Sequence, residues 1–196
     1  MTRIVAFTSV TLDGVMQAPA RPDEDTRGGF EHGGWAVPYA DEALGKASAP
    51  SMATSRGLLL GRRTYEDFYE VWPNRTDNPY TEILNNSPKY VASRSLKEPL
   101  PWQNSILLEG DAIQAVAELR KEPGKDLVIL GSGDLIRSLL PHGLIDRFIL
   151  LIHPLVLGSG QRLFDDGGAL AKLSLVEMTT TPKGVVVATY ETGGSD

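Results

Sequence analysis

Val128-Ile129-Leu130-Gly131-Ser132-Gly133-Asp134-Leu135 is a short apolar run that passes through two glycines into residues of helical character. A run of this length bounded by glycine reads as a buried strand, and a strand feeding a helix through a tight turn is half of a parallel crossover unit. Leu58-Leu59-Leu60-Gly61-Arg62-Arg63-Thr64-Tyr65-Glu66 has the same arrangement earlier in the chain. Around these two stretches the alternation continues. Residues 4–7, 89–93 and 105–108 are further strand candidates. Helices are expected over 41–53, 62–69, after Asp111 as its N-cap up to Pro123-Gly124, and over 134–140. Pro50 is expected to distort or end the first of them. Strands then follow one another: 145–153, and a hairpin of 172–181 and 185–191 joined by Pro182-Lys183-Gly184. Alternation predicts right-handed parallel crossovers with helices on both faces of a sheet. The closing hairpin predicts an antiparallel edge. Residues 17–38, with Gly28-Gly29 and Gly33-Gly34, read as a long functional or mobile loop, and the Pro/Asn-rich stretch before residue 89 as a polar connection. The expected architecture is one α/β domain spanning residues 1–196.

Composition narrows the chemistry. With 41% hydrophobic residues among 196, the chain can build the core of a full-sized domain. Its formal charge of −6 argues against a protein that coats nucleic acid. The absence of cysteine excludes disulfides, thiolate zinc sites, iron–sulfur clusters and a cysteine nucleophile. The three histidines, His32, His142 and His153, are far apart, so no multi-histidine metal site is expected. The longest apolar run, Phe148-Ile149-Leu150-Leu151-Ile152, falls well short of the roughly 20 residues of a spanning helix. A soluble cytoplasmic protein without membrane contact is the expectation.

Both glycine turns suit phosphate. The first N–H groups of a helix lack intrahelical acceptors, and the helix dipole favours an anion there. At the first turn Arg62 and Arg63 add charge and Thr64 a hydroxyl; two solvated arginines beside a glycine turn are the plain alternative. At the second, Gly131 and Gly133 let a diphosphate approach the backbone, but the third glycine and the downstream acid of the Rossmann fingerprint are missing. Together the turns suggest a dinucleotide across the carboxyl ends of parallel strands, with positive potential gathered in one cleft. Ser93-Arg94, at another strand end, suits the 2′-phosphate of NADPH, or is an exposed loop pair.

In order and spacing the chain resembles the dihydrofolate-reductase-like superfamily, and more closely its branch related to the reductase domain of bacterial riboflavin biosynthesis. The resemblance rests on Ser9-Val10-Thr11-Leu12-Asp13-Gly14, Gly61 to Glu66, Lys89 to Ser93, Gly131-Ser132-Gly133, Gly143 to Asp146, and Pro154 to Gly160 followed by Leu163-Phe164. It implies an eight-stranded mixed sheet, NADPH as cofactor, a small-molecule substrate and a homodimer. It places Gly61, Arg62 and Thr64 on the cofactor phosphates, beside the Arg63 of the same turn, and Ser93 and Arg94 at its adenosine end. Gly131, Ser132, Gly133, Asp134 and Leu135 fall on its diphosphate and nicotinamide side, and Leu163 and Phe164 on the substrate side. Two departures stand out. The acid of the Trp-x-x-Pro-x-acidic stretch comes one residue late, at Asp41, about 100° round a helix from its usual place. The zinc deaminase often fused to the riboflavin-pathway reductases has no counterpart in a chain without cysteine. Asp41 and Asp13 are the candidate proton donors, although Asp13 before Gly14 equally suits a hydrogen-bonded turn. Trp35 is either a lid over a flat ring or a tryptophan packed for burial. His153 reads as a satisfied strand-end histidine.

Overall fold

The computed structural model describes residues 1–193. Eight strands form one sheet: β1 (Ile4–Thr11), β2 (Gly57–Gly61), β3 (Lys89–Ala92), β4 (Ser105–Leu108), β5 (Leu127–Leu130), β6 (Arg147–His153), β7 (Leu173–Thr180) and β8 (Val186–Thr192). Their order is β4-β3-β2-β5-β1-β6-β8-β7. The first six are mutually parallel, and β8 and β7 add the antiparallel edge. The α-helices are α1 (Glu42–Ala53), α2 (Arg62–Val71), α3 (Tyr80–Asn86), α4 (Ala112–Lys121) and α5 (Gly133–Leu139).

Strand periodicity sorts the core into two layers. Ile4 and Ala6 of β1 face one core with Val116 of α4 and Leu135, Ile136 and Leu139 of α5. Val5 and Phe7 face the other, with Tyr65 of α2 and Leu84 of α3. Because β2 and β5 are covered on both sides, their sequences are unbroken apolar runs rather than alternating ones. The adjacent strands β2 and β5 send their helices to opposite faces, α2 to one and α5 to the other. The chain therefore parts at their carboxyl ends, which is where open α/β sheets leave a crevice.

The expected element order holds, with three differences. β1 runs on to Thr11, because its outer half pairs with β6 as far as His153. α1 continues three residues past Pro50. α3 forms in the stretch read as a polar connection, with Leu84 buried in the second core and the Tyr80 hydroxyl donating to the Gly45 carbonyl at 3.0 Å. A third, small cluster of Val15, Ala18, Phe30 and Trp35 organises the long segment after β1. Among the described residues no helix is long and apolar enough to cross a membrane.

Candidate functional site

The crevice at the carboxyl ends of the parallel strands is a cleft of about 1250 Å³. Its floor joins the two glycine turns. Ser132 sits in the left-handed region (φ 48°, ψ 49°), and its hydroxyl donates to the Leu130 carbonyl at 3.2 Å and accepts the Gly61 N–H at 3.1 Å. The Ser132 side chain is thus spent on tying the end of β5 to the end of β2; what it offers the cleft is backbone. The space between the turns is glycine-dependent. A Cβ on Gly131 (φ +57°) would stand 3.8 Å from Thr64, and one on Gly133 would overlap Met16 Sδ at 2.4 Å. This cradle fits a diphosphate, since the first N–H groups of both helices border the one cleft. Phe7, Met16, Leu130 and Leu135 supply apolar wall above it.

The charges of the cleft are largely matched in pairs. Arg62 lies 3.2 Å from Glu66, Arg63 lies 2.9 Å from Asp134, and Arg21 lies 2.5 Å from Asp67. Arg27 pairs with Asp25 and Arg75 with Asp77. The expected concentration of positive potential is therefore reduced by carboxylates, of which Asp134 and Asp67 lie far in sequence from their arginines and Glu66, Asp25 and Asp77 lie close by. Arg94 differs: it is exposed on the cleft wall, and its guanidinium makes no ion pair or hydrogen bond among the described residues. Neighbouring Ser93 accepts the N–H groups of Ser95 and Leu96 at 3.1 and 3.0 Å, forming the turn that presents Arg94.

All the residues expected to hold the cofactor, Gly61 to Thr64, Ser93 and Arg94, and Gly131 to Leu135, line this one cleft. The residues expected to act on substrate do not. Asp13 Oδ1 accepts the Thr11 hydroxyl at 2.5 Å, and its carboxylate also takes the N–H groups of Leu157 and Gly158 at 3.2 and 2.8 Å. The Thr11 hydroxyl, with those backbone donors, holds the Asp13 carboxyl below its usual range, so it has no proton to give near neutral pH. Asp41 caps α1, accepting the Leu44 N–H at 2.7 Å, outside the cleft lining. Trp35 is buried, donates its indole N–H to the Gln17 carbonyl at 2.7 Å, and meets His153 edge-on at 5.1 Å. Of its two expected settings it occupies the packed one. Leu163 is core, while Phe164 is half-exposed and lies against Phe148 at 5.7 Å.

Two cleft residues escaped the sequence reading. Gln17 is buried, gives its amide N–H groups to the Asp25 and Arg27 carbonyls, and accepts the Gln161 N–H. It shapes the 17–27 segment into one wall. Glu24, on that wall, accepts the Ala20 and Arg21 N–H groups, and burial pushes its carboxyl above the usual range. An acidic loop gave no sign of this, since the effect arises only when the loop folds against α2.

Comparison with known proteins agrees with this fold. The profile of the RibD C-terminal domain matches residues 2–187. The uncharacterized protein YyaP of Bacillus subtilis (strain 168) is 34% identical over 142 residues, covering 70% of this chain and 74% of its own. The uncharacterized protein YwjB of the same organism is 26% identical over 179 residues, 88% of each chain. Among solved structures, a protein assigned to riboflavin biosynthesis from Shewanella sp. PV-4 superposes with a TM-score of 0.73 at 22% identity, covering 98% of this chain and 99% of that one. A pyrimidine reductase-like protein from Corynebacterium diphtheriae gives 0.68 at 14% identity, covering 99% and 93%. These two likenesses share the mixed eight-stranded fold. The chain belongs to the RibD C-terminal domain family.

Proposed function

We propose that the chain is an NADPH-dependent reductase of a small heterocyclic substrate, of the type of 5-amino-6-(5-phosphoribosylamino)uracil in riboflavin biosynthesis. The observation that carries this reading is a single cleft that runs from the joined Gly61 and Gly131 turns to an unpaired Arg94. When bound, the nicotinamide supplies the hydride; the protein supplies alignment and water exclusion. The backbone N–H groups of the two turns hold the diphosphate, and Arg94 grips the 2′-phosphate through charge-assisted hydrogen bonds. Phe7, Met16, Leu130 and Leu135 keep the reacting end dry. Of the carboxyls in the cleft wall, Glu24 is the one whose hold on a proton burial strengthens.

Of the three tryptophans, Trp72 borders the cleft, so its fluorescence is the reporter for a titration. NADPH is expected to bind at least about tenfold tighter than NADH, and Arg94→Ala to abolish most of that preference, since a charge-assisted contact contributes roughly 1.5–3 kcal/mol. Equal affinities in the unaltered protein would refute the 2′-phosphate assignment. Loss of nicotinamide absorbance with the ribosylated aminopyrimidine or with dihydrofolate tests turnover. NADPH binding without turnover on any heterocycle of such a panel would leave a binding protein in place of the reductase.

A further inference from the structure

The cleft is polarised along its length. At the β3 end Arg94 is a cation without a carboxylate partner among the described residues. At the other end, between the Met16–Arg27 wall and α2, every arginine is held: Arg21 by Asp67 and Asp23, Arg27 by Asp25, Arg62 by Glu66 and Arg63 by Asp134. Glu24 and Glu70 line the same end and take part in no ion pair among the described residues. Burial pushes the Glu24 carboxyl above its usual range, and the nearby Asp67 adds to the shift, which marks a local surplus of negative charge.

Two groups at this end are unspent. Glu24 Oε2 accepts the Ala20 and Arg21 N–H groups at 2.7 and 3.2 Å, which leaves Oε1 without a donor among the described residues. Thr8 is 4% exposed and lines the cleft where β1 runs on past β5, whose last residue, Leu130, pairs with Phe7. The Thr8 hydroxyl reaches only the Ser9 carbonyl, at 3.4 Å, beyond the roughly 2.5–3.0 Å of an ordinary O–H···O bond. A buried hydroxyl so poorly partnered calls for a ligand group to complete it.

We infer that the substrate is an amino-substituted heterocycle without a phosphate ester or other acid group, neutral or cationic, which donates an N–H to Glu24 and bonds the Thr8 hydroxyl. This rests on the reductase reading of the cleft and narrows it to the unphosphorylated forms of that substrate type. With the cofactor laid from the two glycine turns to Arg94, its reacting end faces Phe7, Met16, Leu130 and Leu135, and the substrate falls between the Met16–Arg27 wall and α2. A phosphate monoester brings close to two negative charges there at neutral pH. To receive it, an arginine would have to leave its carboxylate, which would then stand unpaired beside the phosphate. An amino group meets the reverse, a carboxylate oxygen open to a charge-assisted hydrogen bond.

Equilibrium dialysis of the full chain with oxidised NADP, which carries no hydride, compares a ribosylated aminopyrimidine with its 5′-phosphate. The unphosphorylated form is expected to bind at least about tenfold tighter, and the deficit of the ester to shrink as salt rises. Glu24→Gln with Glu70→Gln is expected to bring the ratio below about threefold, chiefly by tightening the ester, with an unchanged circular dichroism spectrum. If that variant loses its native spectrum, Glu70→Gln alone, an exposed change on α2, is expected to tighten the ester about two- to threefold. Equal or tighter binding of the ester, no binding of either form, or a ratio that these variants leave unchanged would overturn the inference. Dialysis follows no hydride transfer, so the reductase reading fails separately. The expected preference without turnover of NADPH would refute the reductase and uphold the substrate class. Turnover of an ester bound as tightly as its parent would do the opposite.

Discussion

Lys89 opens β3 with no exposed surface, and its ammonium donates to the carbonyls of Asn85, Ser87 and Gln103 at 3.1, 2.8 and 3.0 Å. The Trp102 ring lies 4.2 Å from the same nitrogen, and the Trp102 indole N–H donates to Asn85 Oδ1 at 2.7 Å. Burial draws the ammonium down to about 8, so at neutral pH it is still a cation, held by carbonyl oxygens and a ring face rather than by a carboxylate. One side chain thereby joins the end of α3, the start of β3 and the 101–104 turn. Lys89→Met keeps the aliphatic stem but removes the donor to the Ser87 and Gln103 carbonyls, while the Asn85 carbonyl keeps the Gln103 side-chain N–H. Each unsatisfied group costs roughly 1–3 kcal/mol before relaxation, so a loss of about 2–4 kcal/mol in unfolding free energy is expected in urea titration. A loss under about 0.5 kcal/mol would mean that water or the backbone replaces the ammonium. From sequence Lys89 was merely the first residue of a strand; its role depends on Gln103, which meets it only in the folded chain.

At the scale of elements, what was legible and what was not have different physical origins. Leu58–Leu60 and Val128–Leu130 announced buried strands because burial on both faces demands an unbroken apolar run. Gly131 announced its turn because its φ of +57° is one that residues with side chains rarely adopt. α3 was not legible, because its short polar sequence is helical through packing of Leu84 and Tyr80 rather than through propensity. The charge matching of the cleft was not legible either. Arg63 on α2 meets Asp134 on α5 only because β2 and β5 are neighbours in the sheet. Asp134 also pairs with Arg137 one turn along α5. Replacing it by Asn leaves the N-terminal N–H groups of α5 in place and releases Arg63 toward the cleft. Asp134→Asn is therefore expected to tighten NADPH binding about three- to tenfold, with a steeper salt dependence, while exposed pairing of this kind contributes under about 1 kcal/mol to stability. Fluorescence titration at low and high salt reads both effects. Weaker binding would show that the Asp134 carboxylate itself contacts the cofactor.

Across the whole molecule, the segment after β1 and the strand beside it are coupled through His153. The ring lies at the end of β6 with 1% of its surface exposed, edge-on to Trp35 at 5.1 Å and to Tyr39 at 5.5 Å. Its Nδ1 bonds the Leu151 carbonyl at 2.9 Å, and its Nε2 is buried without a partner. Trp35 and Tyr39 belong to the segment whose earlier part, Met16 to Arg27, walls the cleft, so the histidine anchors a piece of the site it does not enter. Burial lowers the imidazole pKa from its ordinary 6.5. Below 6.5 the unfolded chain therefore binds a proton that the folded chain refuses. Stability from this group is complete above 6.5 and is lost as pH falls toward the folded pKa, at up to about 1.4 kcal/mol per pH unit. Urea midpoints measured from pH 7.5 down to 5 should decline for the unaltered protein. His153→Gln, less stable at neutral pH for want of the ring contacts, should decline less, so that the two curves converge. Parallel curves would show that His153 keeps its proton equilibrium on folding and that the acid limb of stability lies with other groups.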